Sequence, residues 1–516
     1  MNVLTKAYRF DENKNKLYTA VKADTSFTIP KTSNYYTEYI DSLYEASKEL
    51  SPIEIVRGAD TVTEAMIGDI VDSKDTIKAE GKTYYISNKG SDDNDGLSEK
   101  TAWATIEKLK ANYDLLKEGD AVLFERGGEW RKPSEWKTAQ KTNTNWSQMC
   151  FLTAKKGVSY GAYGKGNKPI FNGSERNYAD ATLWKETGIE NVYVCTELFW
   201  NAGAVAIDHT GRLGKYDEKM AMKEMIGLRG FGGVADMRID CSYYHDMSTR
   251  KLYFCSTIGN PGERFKSIEI GGRLSLIDCQ GGSYIENLHF KFDGYGVSGS
   301  PSLTIKNCIF SYLGGCMAGD KNGVVNLCGN AVEIYGKCSD FNVESCWIYQ
   351  MCDTGVSHQL WSDKGECVQK NISFKGNVIE YCHWGIEFNN PPSSDSSKRL
   401  VENCEHSYNV IRNGGQGWAD IQFGRQATAT LYNCFGTAKC VNTVCKKNIL
   451  NQSTGLLYRM RLEGDPEIKY FDNINIQHES GLFAYLYDGD YKYDETAEER
   501  LKNSADVYNG TYIYLE

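Results

Sequence analysis

Apolar residues in the second half of the chain come in short runs, each opened by Asn and closed by a polar residue. The phrase stands at Asn287-Leu288-His289-Phe290 and Asn307-Cys308-Ile309-Phe310. It returns as Asn377-Val378-Ile379, Asn409-Val410-Ile411, Asn448-Ile449-Leu450 and Asn473-Ile474-Asn475-Ile476, with Ser345-Cys346-Trp347-Ile348 taking the same place between Asn307 and Asn377. From position 287 the steps are 20, 38, 32, 32, 39 and 25 residues. A period of roughly 20–50 residues marks a solenoid, whose repeats bury their apolar faces only against their neighbours. The runs are β-branched and too short for helical periodicity, so each repeat reads as one coil of a parallel β-helix. Asn is expected at a recurring turn because it tolerates left-handed backbone.

The pattern differs outside these coils. Residues 1–80 lack the repeat and read as a helical appendage. Tyr35 to Leu50 has apolar residues at 36, 39, 40, 43 and 44, with Pro30 before it and Ser51-Pro52 ending it; Thr61 to Val71 reads as a second short helix. The appendage is expected on an end of the solenoid, which otherwise exposes core and strand edges. The β-helix is expected over 81–490, with excursions around 175–260 that include a hairpin between Asp240 and Phe254. Residues 491–516 read as a C-terminal cap, helical over 491–505 and extended from Gly510 to Tyr514.

Composition narrows the function. The net charge is −10 with no basic run, which argues against nucleic acid or an anionic membrane as partner. No stretch approaches the roughly 18 apolar residues of a transmembrane helix. The start, MNVLTKAYRFDENKNK, has no apolar core of a signal peptide, so the expectation is a cytoplasmic protein, or a secreted one whose leader is absent from this sequence. Tyr (34) and Trp (10) are plentiful and serve equally as sugar platforms or as strand cover. The 17 Cys cannot all pair, and Cys308, Cys346, Cys404 and Cys434 fall inside the repeat, so they read as reduced interior thiols. No zinc spacing occurs. The acidic loop Asp92–Asp95 admits a structural calcium, but it lacks the closing Glu of an EF-hand and reads better as Asx turns; no other cofactor is expected.

Two groups of motifs carry a resemblance. Strand 83–87, then Gly90-Ser91-Asp92-Asp93-Asn94-Asp95-Gly96, Trp103-Ala104-Thr105-Ile106, a helix, and Gly119-Asp120-Ala121-Val122-Leu123-Phe124 resemble the N-terminal cap of right-handed parallel β-helix carbohydrate-active enzymes. Further on come Gly259-Asn260-Pro261-Gly262 with Ile268-Glu269, Leu313-Gly314-Gly315-Cys316, Gly329-Asn330-Ala331-Val332-Glu333 and Cys352-Asp353-Thr354-Gly355-Val356-Ser357-His358-Gln359. Together these are similar to bacterial β-helix proteins of glycoside hydrolase family 141, over roughly residues 83–480. The resemblance implies an all-β fold, a right-handed single-stranded parallel β-helix, acting on plant- or host-derived glycans.

Aligning coils on Val332, Val356, Ile386 and Ile421 as an inward column predicts which carboxylates meet, because neighbouring strands lie about 4.8 Å apart and side chains alternate between faces. Asn330, Thr354, Trp384 and Ala419, and Ile334, His358, Phe388 and Phe423, then also face inward. The outward columns are Glu333, Ser357, Glu387, Gln422; Ala331, Gly355, Gly385, Asp420; and Gly329, Asp353, His383, Trp418. Glu333, Asp353 and Glu387 are the expected catalytic carboxylates, since acid–base work needs two. His383, Trp384, Gln359, Trp418, Asp420, Arg425 and His358 are the expected substrate contacts. For each, a plain alternative exists: a solvated strand Glu, a turn-capping Asp353, a hydrogen-bonded core His358, a Trp418 that merely shields a strand, an Arg425 in a surface ion pair.

Three functions compete. A glycoside hydrolase needs one carboxylic acid and one carboxylate, and without a leader a small oligosaccharide attacked from its end is favoured. A polysaccharide lyase needs a cation to neutralise a uronate, and the outward columns hold few. A glycan-binding solenoid without catalysis needs neither. The carboxylate spacing, about 8–10 Å between Cα atoms, favours inversion among hydrolases.

Overall fold

The computed structural model describes residues 27–29, 35–132, 150–208, 219–220, 222–223, 234–299, 302–319, 325–360, 365–390, 399–421, 428–436, 438–460, 468–478, 481–486, 489–491 and 507–515. Three long sheets of 11, 10 and 10 strands run its length among these residues, parallel throughout except for the antiparallel edge strand Gly489–Tyr491 of the third. We term them sheets I, II and III in the order the chain visits them. One coil is Cys338–Glu344 in sheet I, Trp347–Met351 in sheet II and Thr354–Gln359 in sheet III; Cys367–Lys375 then returns to sheet I one step along the axis. The chain is therefore an all-β, single-stranded parallel β-helix. No helix among the described residues is long and apolar enough to cross a membrane.

The repeat phrase resolves into two positions of one turn, between sheets I and II. The first turn residue is left-handed in every coil from 287 on: Asn287, Asn307, Ser345, Gly376, Tyr408, Lys447, Asp472 and Asn509, with φ of 52–65°. The second is Leu288, Cys308 and Cys346, then Asn377, Asn409, Asn448 and Asn473. Left-handed backbone thus explains Asn287 and Asn307 but not the four later Asn residues. Those point inward and form a ladder. Asn377 Nδ2 donates to Asn409 Oδ1 (2.9 Å), Asn409 Nδ2 to Asn448 Oδ1 (3.0 Å) and Asn448 Nδ2 to Asn473 Oδ1 (3.1 Å). Each amide also donates to a carbonyl at the end of a sheet I strand, Asn377 to Val343 and Asn409 to Phe374. Upstream, the thiols of Cys308 and Cys346 reach the equivalent carbonyls of Ile285 and Ile305, at 3.9 Å. All 17 cysteines are free and 15 are buried.

The two apolar residues of the phrase face opposite ways. Ile348, Ile379, Ile411 and Leu450 enter the coil core, whereas Trp347, Val378, Val410 and Ile449 lie under the N-terminal helices α1 (Tyr36–Ala46) and α2 (Pro52–Val71). The appendage therefore covers the flank of sheet II, not an end of the solenoid. A sheet buried on both faces needs unbroken apolar runs, which is why the phrase does not alternate. Arg412 fastens the contact: it bonds buried Glu380 (2.8 Å) and Asp60 of α2 (3.0 Å). Helix α2 starts at Pro52, not Thr61. Ser51 and Glu54 form a capping box and Pro52 takes the first helical position, the combination that opens a helix.

The N-terminal end is closed by α3 (Ile106–Ala111), whose Ile106 and Leu109 join Trp103 and Phe124 in the core. In the acidic loop Asp92 accepts from Ala104 N, Thr105 N and Thr105 Oγ1, and Asp95 from Leu97 N and Thr101 Oγ1. The hairpin lies at Ser242–Asp246 and Lys251–Cys255, in a five-stranded excursion sheet. The helix expected over 491–505 falls almost wholly outside the described residues; Thr511–Leu515 pairs in parallel with Ile474–His478.

Replacing Asn409 by Ala removes two donors and leaves the main-chain N–H of Asn377 and the Phe374 carbonyl unpaired in the core. The expected loss is about 3 kcal/mol of unfolding free energy, checked by urea denaturation.

Candidate active site

Sheet III carries the candidate site, and the chain's large insertions leave and rejoin the coils beside it. Residues 173–274, 315–331 and 415–429 all connect a sheet II strand to a sheet III strand. Trp418, Leu327 and Cys352 share one apolar cluster with Tyr178, Tyr243 and Phe254 of the first insertion, so three excursions form one wall.

The register confirms most of the alignment. Val332, Val356 and Ile386 pair in sequence and are fully buried; Glu333, Ser357 and Glu387 pair beside them on the outer face. The next coil differs. Its partners are Tyr432, Asn433 and Cys434, because Gly417–Ile421 is a 3-10 helix on the excursion. Asp420 therefore stands exposed on that excursion, off the column. Gln422, Phe423 and Arg425 lie outside the described residues. The whole outer column reads Thr153, Asp278, Ser298, Glu333, Ser357, Glu387, Asn433, Arg459, Tyr485.

The other two columns need correction. Gly355 and Gly385 face the core: an added Cβ would stand 2.6 Å from Ile379 and 2.3 Å from Ile411. The ladder passes from Thr354↔Trp384 to Val356↔Ile386 with its offset unchanged, so the pairing holds while the in–out alternation breaks at Gly355 and Gly385 in both strands; this puts Thr354 on the outer side, where its hydroxyl reaches Glu387. Trp384, half-buried, shares that ladder position and donates from Nε1 to the Thr428 carbonyl (2.9 Å). His383 follows Asp353 through a main-chain bond (2.8 Å) but its side chain is buried, not presented to solvent. Trp418 is 2% exposed and lies over Gly315, so it shields the wall and offers no open face. His358 is a core residue. It bonds Gln369 Oε1 (2.8 Å) and stacks on Phe388, and burial pulls its pKa down to about 4.

The two glutamates have opposite surroundings. Glu333, 6% exposed, accepts twice at one oxygen: Asn330 Nδ2 (2.6 Å) and the Tyr335 hydroxyl (2.9 Å) both reach Oε2. Burial raises its pKa to about 7; these two hydrogen bonds pull down, and the neighbouring Asp353 charge pushes up. Glu387, 2% exposed, accepts at both oxygens: Thr354 Oγ1 and Gln359 Nε2 at Oε2 (3.0 Å each), Asn433 Nδ2 at Oε1 (3.4 Å). Three neutral donors suit a carboxylate. Asp353 is half-buried and near enough to Glu333 to raise it. The Tyr335 phenol is held well above its usual range by desolvation, then by Glu333, Glu387 and Asp353, so it borders all three acids.

Asp278, Tyr335 and Asn433 escaped the sequence reading, and Asn330, expected to face inward, instead reaches Glu333 on the outer side. Asp278 was legible, since Ile277-Asp278-Cys279 repeats the apolar–acid–apolar pattern of Val332-Glu333-Ile334; the long excursion before it hid the coil. Asn433 was lost to the wrong fourth coil. Among the described residues no group of three or more His, Cys, Asp or Glu is placed to hold a metal ion.

No protein-family model matches the chain, and no curated protein matches it. Among solved structures it is similar to a GH136 lacto-N-biosidase from Eubacterium ramulus (13% identity, TM-score 0.39, covering 90% of this chain and 70% of that one). It is also similar to a rhamnogalacturonan lyase (14%, 0.35, 82% and 93%) and to XylC in complex with xylose (10%, 0.35, 84% and 82%). None of these three names family 141. The site's own geometry carries the functional reading.

Because Glu333 has a folded pKa of about 7 against an ordinary 4.5, its protonated form stabilises the fold below pH 4.5, and that stabilisation is lost as pH rises through 7. The swing is about 3 kcal/mol. Urea unfolding from pH 4 to 8 is expected to show this downward slope, and Glu333→Gln to flatten it.

Proposed function

We propose that the chain is a glycoside hydrolase with Glu333 as general acid and Glu387 as general base. The reading rests on one observation: two buried glutamates on one outward column, one held as a neutral acid near pH 7 and the other ringed by donors. Environments that push two carboxyls apart are how one site runs acid and base chemistry together.

Glu333 gives its proton to the glycosidic oxygen as the bond to the anomeric carbon breaks. Glu387 takes a proton from the water that attacks that carbon from the opposite side. Two ladder steps put their Cα atoms about 10 Å apart, which leaves room for that water and favours inversion of configuration. Burial keeps the Glu333 proton on, and the Asp353 charge adds to this. The proposed substrate is a glycan without required charge at the acid pair.

The test is hydrolysis of a glycan panel by wild type and Glu387→Gln side by side. The variant is expected to lose about 10²–10⁴-fold in rate with its unfolding midpoint close to wild type, and wild-type turnover to fall above about pH 7 as Glu333 ionises. An unsaturated uronide absorbing in the ultraviolet would identify a lyase instead. Binding without turnover in both proteins would identify a glycan-binding solenoid.

A further inference from the structure

The hydrogen bonds at Glu333 settle which of its oxygens can donate. Asn330 is oriented by the main chain: Thr354 N donates to its Oδ1 (3.0 Å), which leaves Nδ2, an obligate donor, aimed at Glu333 Oε2 (2.6 Å). The Tyr335 hydroxyl reaches the same oxygen (2.9 Å). Oε1 accepts no hydrogen bond among the described residues. Tyr335 stands at the mouth of the site, 47% exposed, two residues beyond Glu333 on the same strand.

We propose that Tyr335 is a positioning residue which, with Asn330, fixes the acid proton of Glu333 on Oε1, the oxygen left free to meet a ligand. If Oε2 takes two hydrogen bonds, it is the carbonyl oxygen of the protonated carboxyl, and the proton belongs on Oε1. The alternative places the proton on Oε2, given to the Tyr335 oxygen, and leaves Oε1 as a carbonyl without partners. The first arrangement presents a donor to a glycosidic oxygen; the second presents only an acceptor. This rests on the acid role given to Glu333, yet the geometry can be tested without any substrate.

The titratable groups around Glu333 besides Tyr335 are Asp353, ahead of strand Thr354–Gln359, Tyr295 on Tyr295–Gly299 and Cys328 on Val325–Cys328. Each is unchanged by Tyr335→Phe, which keeps the ring and removes only the hydroxyl.

The experiment is infrared difference spectroscopy of the ligand-free protein across the Glu333 titration, with Glu333→Gln identifying the band of the protonated carboxyl. The expected carbonyl stretch is lowered by two hydrogen bonds in wild type and rises in Tyr335→Phe. The titration midpoint is expected to move upward by about one pH unit in that variant, because a donor to the charged form is lost. A wild-type band at the position of a carbonyl without hydrogen bonds would overturn the proposal, as would a band and midpoint unmoved by the substitution. Should Tyr335→Phe fail to fold, the wild-type band alone still decides. Since no glycan is present, a failed glycosidase assay and a failed proton assignment are separate results.

Discussion

The spacing of one coil on the next depends on side-chain amides inside the turn between sheets I and II. Each Asn from 377 to 473 accepts from the main-chain N–H of the preceding coil's Asn or Cys and donates to a strand-end carbonyl of that same preceding coil. These turn groups are buried, and an unpaired one would cost about 1–3 kcal/mol. The left-handed residue just before makes the corner possible. Backbone conformation and amide pairing thus fall to neighbouring residues, and together they hold all three sheets in register.

That division of labour explains what the sequence made legible. A repeated Asn-apolar phrase suffices to recognise coils, and the β-branched pairs reveal sheet II. The phrase does not reveal that Asn287 and Asn377 act at different positions, because a letter pattern carries no φ. Nor does it show that the first apolar residue of each pair serves α1 and α2, so the helices were expected at an end and lie along a flank. Ser51-Pro52 was ambiguous in the same way: the residues that end one helix also begin the next, and only Glu54 points forward.

The candidate site was partly legible for a related reason. Alternation is strict while a strand keeps its ladder, so Glu333, Ser357 and Glu387 align correctly. It fails where the chain departs from the coil. The break in alternation at Gly355 and Gly385 turns Thr354 and Trp384 outward, and the 415–429 insertion removes Asp420 and Trp418 from the sheet. The same insertions that confuse the alignment create the site. They wall sheet III, desolvate its outer column and so separate the protonation of Glu333 from that of an ordinary surface carboxylate.

The ladder is also unequal along its length. From Asn377 onward each coil is tied to the next by paired amides, while at Cys308 and Cys346 long thiol contacts stand in. Solenoid stability is close to a sum of nearest-neighbour terms, so the molecule has a soft direction: under load, or on warming, its coils should part first on the cysteine side. Glu333 belongs to the coil that runs into Ser345-Cys346, and Glu387 to the one that begins at Gly376-Asn377. Glu333 and Glu387 thus sit on opposite sides of this mechanical boundary, and the distance between them is the dimension that the boundary leaves most free to breathe.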